Sequence, residues 1–149
     1  MHVDPILALA DGYLGSASKL SNDLSEEAII YGESDNDYFG QQVLSVGDIN
    51  DDSYGDVVVS APGNENVGSF YLFFGPISGS IDLSSSDYAA GKVNGHSISS
   101  GLNSDFGRQL SFADMDGDER GDIVVGASLH DNTDTTDMGT VFLFTELLH

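Results

Sequence analysis

The fold is decided by an acidic stretch that occurs twice, first as Asp48-Ile49-Asn50-Asp51-Asp52-Ser53-Tyr54-Gly55-Asp56 and again as Asp114-Met115-Asp116-Gly117-Asp118-Glu119-Arg120-Gly121-Asp122. Oxygen-bearing side chains occupy positions 1, 3, 5 and 9 of both loops, and each loop runs directly into a β-branched segment, 57–59 or 123–125. Carboxylates this close repel one another unless a hard cation lies between them, and Ca²⁺ accepts roughly six to eight oxygens in a flexible shell. The spacing therefore predicts two calcium sites, each at the turn that leads into a strand.

Two further elements recur with the loops, a Phe-Gly pair and an aromatic segment. They are Phe39-Gly40 with Phe106-Gly107, and Gly68–Phe73 with Gly139–Phe144. Residues 12–38 also match residues 75–105, so the chain begins partway through one unit. Repetition of this kind predicts stacked copies of one structural unit. We predict a single module over 1–149, with the tail of a preceding repeat at 1–38, repeat one at 39–105 and an incomplete repeat two at 106–149.

Short apolar stretches in each unit are rich in β-branched or aromatic residues and are bounded by Gly, Asn, Asp or Ser, a pattern typical of strands. The predicted strands are 41–46, 56–61, 67–74, 91–94, 108–113, 122–127 and 139–145. An extra strand near 28–31 is expected to pair with one of the sheets that these strands form. Residues 6–10 fit either a strand or a helical turn.

The predicted fold is all-β, with two propeller-type blades of about four antiparallel strands each. A repeat shift of 66 residues between the two acidic loops suits one blade. Two blades cannot close a ring, because each blade needs a neighbour on both faces of its sheet. Three solutions remain open: several copies of the chain complete a ring, the chain is a piece of a longer protein, or the two sheets pack as a sandwich.

The charge of the chain excludes several classes of partner. The 149 residues contain 25 acids and 4 bases, which gives a formal net charge of −21. Nucleic acid and anionic membranes require a basic surface, so neither is an expected partner. The sequence contains no cysteine, so no disulfide framework is expected, and its start shows no basic and apolar signal segment. No apolar run is long enough to predict a membrane-spanning helix.

The repeated elements resemble a known family. Phe39-Gly40, the Asp48–Asp56 loop and Ser60-Ala61-Pro62 are similar to the FG-GAP repeat of integrin α-chain β-propellers and their bacterial relatives. Phe106-Gly107, the Asp114–Asp122 loop and Gly126-Ala127-Ser128 resemble it again, so the likeness covers roughly residues 28–145. The usual Gly-Ala-Pro differs in both copies, as Ser-Ala-Pro and Gly-Ala-Ser. Propellers of the family have more blades than two.

The resemblance implies a ligand set for each Ca²⁺, with side-chain oxygens from positions 1, 3, 5 and 9 and a backbone carbonyl from position 7. Site one is then Asp48, Asn50, Asp52, Asp56 and the carbonyl of Tyr54. Site two is Asp114, Asp116, Asp118, Asp122 and the carbonyl of Arg120. Site two has four carboxylates against three, so we expect it to bind Ca²⁺ more tightly.

Three other interpretations compete for the loops. An EF-hand needs a bidentate Glu at position 12, which is Val59 or Val125 here. Solvated Asp-rich turns without a metal are the plain alternative, because Asp and Asn favour turns. Arg120-Gly121-Asp122 spells a tripeptide that integrins recognise on their ligands, but Asp122 is expected to face the metal. The two further acidic runs, Asp35–Asp37 and Asp131–Asp137, lack the alternating spacing and are expected to be solvated loops.

The sequence offers little support for catalysis. The four histidines, His2, His96, His130 and His149, are scattered, and no nucleophile elbow is present. A carbohydrate-binding role is the stronger alternative, although tryptophan is absent. The tyrosines that could stack on sugars are Tyr13, Tyr38, Tyr54, Tyr71 and Tyr88.

The preferred function is a calcium-binding interaction or adhesion module with structural Ca²⁺ and no enzymatic activity. Its ligand is expected to be a protein or a glycan, and self-association is expected because an exposed blade edge invites pairing. An extracellular or cell-surface location follows by analogy with the family and from the roughly 10⁻⁴–10⁻³ M Ca²⁺ that extracellular modules need. The alternatives are a lectin-like propeller fragment and a non-catalytic domain of a larger extracellular enzyme.

Overall fold

Strands form where the β-branched and aromatic residues cluster. The computed structural model describes residues 28–85, 89–95, 104–130 and 138–145. In these residues it contains a short 3₁₀ turn at Asn64–Asn66 and nine strands. The strands are β1 Ala28–Tyr31, β2 Val43–Gly47, β3 Asp56–Ala61, β4 Ser69–Phe73, β5 Gly79–Asp82, β6 Gly91–Asn94, β7 Gln109–Ala113, β8 Asp122–Ala127 and β9 Thr140–Phe144.

The strands assemble into three sheets. Sheet one is antiparallel with the order β2-β3-β4-β6, and sheet two is antiparallel with the order β7-β8-β9. The pairing is equivalent in both, because Val57 lies opposite Phe73 in sheet one and Ile123 lies opposite Phe144 in sheet two. The all-β fold with antiparallel, blade-type sheets is therefore confirmed. No helix of the described residues is long and apolar enough to cross a membrane.

The strand near 28–31 was predicted correctly, but its expected pairing with one of the blade sheets was wrong. β1 pairs in parallel with β5, in a separate two-stranded sheet. β5 was not predicted, because Gly79-Ser80-Ile81-Asp82 has one apolar residue and three of its four residues are exposed. The uncertain segment 6–10 lies outside the described residues.

Sheet one buries both of its faces. One face, with Val58, Phe70 and Leu72, packs against sheet two through Phe106, Ile123, Val125 and Ala127. The opposite face, with Val59, Tyr71 and Phe73, packs against Ile30 of β1 and Ile81 of β5. The sheets thus stack face to face, with sheet one in the middle.

The Phe-Gly pairs lie at these junctions. Phe106 is 2% exposed and stacks on Phe70 of sheet one, with ring centroids 6.0 Å apart. It also meets Phe142 of sheet two edge-on at 5.3 Å. Gly68, at φ +84°, approaches so closely that a Cβ there would lie 2.1 Å from the carbonyl oxygen of Phe106. A side chain at residue 68 would therefore push the two sheets apart.

A polar network joins the segment after β1 to sheet one. Oε2 of Glu33 accepts hydrogen bonds from Nζ of Lys92 and from the hydroxyl of Tyr71, both at 2.7 Å. Asn64, 1% exposed, donates to Asp37 at 2.8 Å and accepts from Ser69 Oγ at 2.8 Å. The hydrogen bond from Lys92, followed by that from Tyr71, lowers the pKa of Glu33 below its usual value of 4.5. The folded state therefore favours the ionised carboxylate at this position.

We expect Glu33→Gln to remove an acid-sensitive part of the stability. A pKa that folding lowers stabilises the protein above the unfolded pKa, and that stability disappears as the pH falls through the folded pKa. The free energy of unfolding of the variant should lie below that of the parent by about 1 kcal/mol or less near neutral pH, because the side chain is partly solvated. This difference should shrink below pH 4.5.

Urea unfolding of both proteins over a series of pH values measures this difference. Glu65→Gln is the matched control, because Glu65 also reaches Lys92 but at 3.4 Å and with 58% of its side chain exposed. A difference that stays constant down to the acid limit would show that the carboxylate of Glu33 does not carry the effect.

Candidate metal centre

Each acidic loop connects the first two strands of its sheet. Loop one, Asp48–Asp56, leaves β2 and enters β3, and loop two, Asp114–Asp122, leaves β7 and enters β8. The last residue of each loop is also the first residue of the strand, and both of these aspartates are fully buried. The strands therefore fix position 9 of each loop, while the preceding positions curve over it.

Loop two brings three carboxylates together. Ligand oxygens of Asp114, Asp116 and Asp122 all lie within 4.8 Å of one another. Oδ2 of Asp122 accepts a hydrogen bond from the Met115 amide at 2.6 Å. Among the described residues, its buried Oδ1 has no hydrogen-bond partner. A buried carboxylate oxygen without a partner is costly, and a cation beside it removes that cost.

Backbone amides of loop two hold its carboxylates in place. Asp114 accepts hydrogen bonds from the amides of Gly117 at 2.6 Å and Glu119 at 3.1 Å. The carboxylate of Asp118 accepts from the Arg120 amide at 2.8 Å. These turns preorganise the acidic side chains, because each is held by the backbone that follows it.

The carboxylates of loop two are close enough to raise the pKa of one of them. The backbone amide of Asp118 lowers the pKa of Asp116, but desolvation and repulsion by Asp118, Asp122 and Asp114 outweigh it and leave the pKa raised. Like charges that raise a pKa are relieved by a nearby cation. The three clustered ligands are all carboxylates, which suits a hard divalent ion such as Ca²⁺. Asp114, Asp116 and Asp122 therefore fit a divalent cation.

Loop one repeats most of these hydrogen bonds but differs at two of its side chains. Both oxygens of Asp56 have donors, the Ile49 amide and the Gly75 amide, each at 2.9 Å. The side-chain amide of Asn50 donates to Asp52 at 2.9 Å. Asp48 accepts from the amides of Asp52 and Ser53. The carboxylates of Asp48, Asp52 and Asp56 thus accept hydrogen bonds from loop one itself and from Gly75 after β4, and within the described ranges no cluster of three carboxylates forms there.

One difference between the loops lies at position 3. Position 3 is Asn50 in loop one and Asp116 in loop two, so loop one gains a donor where loop two gains a charge. The strand pairing makes Glu146 the counterpart of Gly75, and Glu146 lies outside the described residues. The side chains of Tyr54 and Arg120, at position 7, are exposed.

Comparison with known proteins agrees with this geometry. The FG-GAP repeat family matches residues 39–73 and again residues 106–144. Both matches begin at a Phe-Gly pair and include one acidic loop with the strands on either side of it.

The chain belongs to the FG-GAP repeat family.

Integrin α chains are among the proteins that this chain resembles. Integrin alpha-X of Homo sapiens is 39% identical over 105 residues, which cover 68% of this chain and 9% of the relative. Integrin alpha-M of Mus musculus is 35% identical over 108 residues, covering 70% and 9%. Integrin alpha pat-2 of Caenorhabditis elegans is 37% identical over 92 residues, covering 60% and 7%. The FG-GAP repeats therefore correspond to less than a tenth of the length of these relatives.

Two predicted surface features of the FG-GAP repeats are buried. The Asp35–Asp37 run was expected to be a solvated loop; Asp35 and Asn36 are exposed as predicted, but Asp37 is 4% exposed and accepts a hydrogen bond from Asn64. Tyr71, considered as a sugar-stacking residue, is 2% exposed and donates to Glu33. Both errors have one cause, since the sequence does not show that the segment after β1 folds over sheet one. The run Asp131–Asp137 lies outside the described residues.

The tripeptide Arg120-Gly121-Asp122 is part of the second FG-GAP fold rather than an accessible tip. Asp122 is fully buried, as expected from its place at the start of β8. The Phe112 ring lies where a Cβ of residue 121 would be, with its Cζ 1.8 Å from that point. Neither this contact nor the hydrogen bond from the Gly75 amide to Asp56 could be predicted from the sequence, because both join residues that are not neighbours in the chain.

We expect Gly121→Ala to destabilise the protein and Gly55→Ala to have little effect. The two glycines share position 8 of their loops, but a Cβ at residue 55 would meet nothing within 4 Å. Overpacking against Phe112 should lower the free energy of unfolding by about 1–3 kcal/mol. Urea unfolding of the two variants measures the difference, and equal stability of the pair would contradict the packing of Phe112 on Gly121.

Proposed function

We propose that the chain is a calcium-stabilised, non-catalytic interaction module of the adhesion type. The FG-GAP repeats and their integrin α relatives support the adhesion class of the module. The single observation that supports calcium is the cluster of Asp114, Asp116 and Asp122 oxygens within 4.8 Å. By analogy with those relatives, we propose an extracellular or cell-surface location and a protein ligand.

In this proposal, Asp114, Asp116, Asp118 and Asp122 of loop two hold one Ca²⁺ with the carbonyl of Arg120. Asp48, Asn50, Asp52 and Asp56 of loop one hold a second ion with the carbonyl of Tyr54. Bound Ca²⁺ supplies positive charge to a turn whose carboxylates otherwise repel one another. Asp122 transmits this stabilisation to the sheet, because it is both a ligand and the first residue of β8.

Calcium binding of this kind stabilises the folded state by mass action. An ion that binds only the folded chain at about 100 times its dissociation constant adds about 2.7 kcal/mol to the free energy of unfolding. Backbone amides hold the carboxylates of Asp48 and Asp114, so an ion would act on turns whose ligands these hydrogen bonds preorganise.

We expect Asp116→Asn to change the response to calcium in a characteristic way. Without Ca²⁺, the variant should melt at the same temperature as the parent or slightly higher, because one repelling charge is gone. With saturating Ca²⁺, its melting temperature should rise less than that of the parent, because a ligand charge is missing. Differential scanning calorimetry with and without chelator measures both values.

Glu119→Gln is the matched control for Asp116→Asn. It removes one charge from the same loop, at position 6, outside the proposed ligand set. The control should keep the full calcium-induced rise in melting temperature. If both variants lost the same part of this rise, the effect would come from the total charge of the loop and not from a ligand at Asp116. If the melting temperature of the parent did not rise with Ca²⁺, the proposed calcium binding would be wrong.

Self-association is part of the proposed function, and it is supported by an uncovered face of sheet two. Val141 and Leu143 of β9 are 70% and 50% exposed. Their counterparts in β4, by strand pairing, are Phe70 and Leu72, which are 2% and 8% exposed under sheet two. We propose that a sheet of a second copy covers Val141 and Leu143 as sheet two covers sheet one.

We expect sedimentation velocity to show association that increases with protein concentration, and Val141→Glu to weaken it. The introduced charge would be buried in the contact without a partner, which is unfavourable. Leu129→Glu is the control, because Leu129 is also exposed, at 39%, but lies in the turn after β8, outside the strand faces that would meet. A parent chain that stays monomeric, or a control that dissociates the assembly equally, would contradict this contact.

A further inference from the structure

A groove of about 800 Å³ opens between the two acidic loops. Its floor is apolar and comes from both sheets, with Val46 buried and the other three side chains half-buried. The apolar floor residues are Val46, Ile49, Phe74 and Phe112. Acidic residues of both loops form the rim, together with Arg120. The groove thus combines an apolar base with a charged edge, as docking sites for polypeptide side chains do.

Two rim carboxylates are free to bind a partner. Asp51 and Glu119 line the groove from opposite loops, and both are exposed. They occupy positions 4 and 6, which the proposed metal ligands do not use. Neither side chain makes a hydrogen bond or an ion pair within the described part of the chain. Their charge is therefore not neutralised by neighbouring residues.

The rim stays acidic even when each loop holds a Ca²⁺. Loop one contains four carboxylates, and loop two contains five together with Arg120, so both loops carry a formal charge of −4. One divalent ion in each leaves −2 per loop. A cationic group near both loops is therefore attracted in either state, most strongly at low ionic strength.

We propose that this groove binds a partner polypeptide through an apolar side chain next to a lysine or arginine. The apolar side chain packs on Phe74 and Phe112, and the cationic side chain pairs with Asp51 and Glu119. The inference rests on the proposed interaction role of the module but not on calcium uptake. It assigns that role a binding surface and a partner chemistry.

A second copy of this chain is a poor occupant. It carries four basic residues in all. Lys92 is paired with Glu33 and Glu65, and Arg108 is paired with Asp105. The copy would also bring its own charge of −21 towards an acidic rim. The groove therefore favours a different, basic polypeptide, and it lies apart from the Val141 face proposed for self-association.

Three short fluorescent peptides test the proposal by fluorescence anisotropy, with Ca²⁺ and with chelator. One alternates Leu and Arg, one alternates Ser and Arg, and one alternates Leu and Glu. The Leu-Arg peptide should bind about tenfold more tightly than the Ser-Arg peptide, because one apolar side chain is buried. The Leu-Glu peptide should not bind. Equal affinity for the Leu-Arg and Ser-Arg peptides would overturn the proposal, because binding would then come only from electrostatic attraction between a basic peptide and an acidic protein.

The double variant Asp51→Asn/Glu119→Gln locates the site. It should bind the Leu-Arg peptide about fivefold or more weakly than the parent, by the loss of two exposed ion pairs. The control Asp35→Asn/Glu65→Gln removes the same charge outside the groove and should bind like the parent. Equally weakened peptide binding by both double variants would overturn the assignment of the site to the groove. So would sedimentation in which the parent self-associates and the groove variant does not.

The same experiment separates this inference from the proposed function. Calcium uptake by a chain that binds none of the peptides would overturn the groove and leave the calcium site standing. Groove-dependent peptide binding by a chain that takes up no calcium would support the groove and overturn the calcium site.

Discussion

The insertion of Phe106 between two stacked sheets is the interaction on which the rest of the structure depends. Its ring is 2% exposed and contacts Phe70 on one side and Phe142 on the other. Burial of one such ring contributes a few kcal/mol, about 3–5 by the cost of truncating it to alanine. The ring thus helps to hold together two sheets whose acidic loops line one groove.

The buried aspartates at position 9 tie the loops to this stack. Asp56 joins three elements, because it begins β3 and accepts hydrogen bonds from loop one and from Gly75 after β4. Asp122 begins β8 in the same way and holds the start of loop two. A short acidic turn thereby becomes part of the sheet rather than a loose connection. The same arrangement explains why an ion bound to the turn would stabilise the strands behind it.

The sequence predicted the parts of the fold that depend on local pattern. Val57–Val59 and Ile123–Val125 could be recognised as strands because β-branched runs bounded by Gly and Asp favour them. β5 could not, because Gly79–Asp82 has no apolar alternation and is a strand only through its parallel pairing with β1. Asp37 was expected in solvent for a similar reason, since its burial depends on Asn64, which is 27 residues away. Non-local pairing of this kind leaves no periodicity in the sequence.

The two loops share their spacing and most of their hydrogen bonds, yet the side chains at positions 3 and 9 meet different partners. The clustering of Asp114, Asp116 and Asp122 follows from an acid at position 3, whereas Asn50 binds its own neighbour Asp52. Pattern alone gives the residue types, but the hydrogen bonds that compete for each oxygen are set by the folded chain. For this reason the groove between the loops, with Asp51 and Glu119 on its rim, was not anticipated either.

The two sides of each sheet are chemically different, and this gives the stack a direction. In sheet one, Phe70 and Leu72 face sheet two, whereas Tyr71 and Phe73 face β1 and β5. Sheet two has the same orientation in the stack. Contacts of this head-to-tail type are heterologous, so they have no internal twofold axis that would limit assembly to a pair. If copies of the chain associated through contacts of this type, the rotation from one sheet to the next would determine whether the assembly closes into a ring or grows as an open filament.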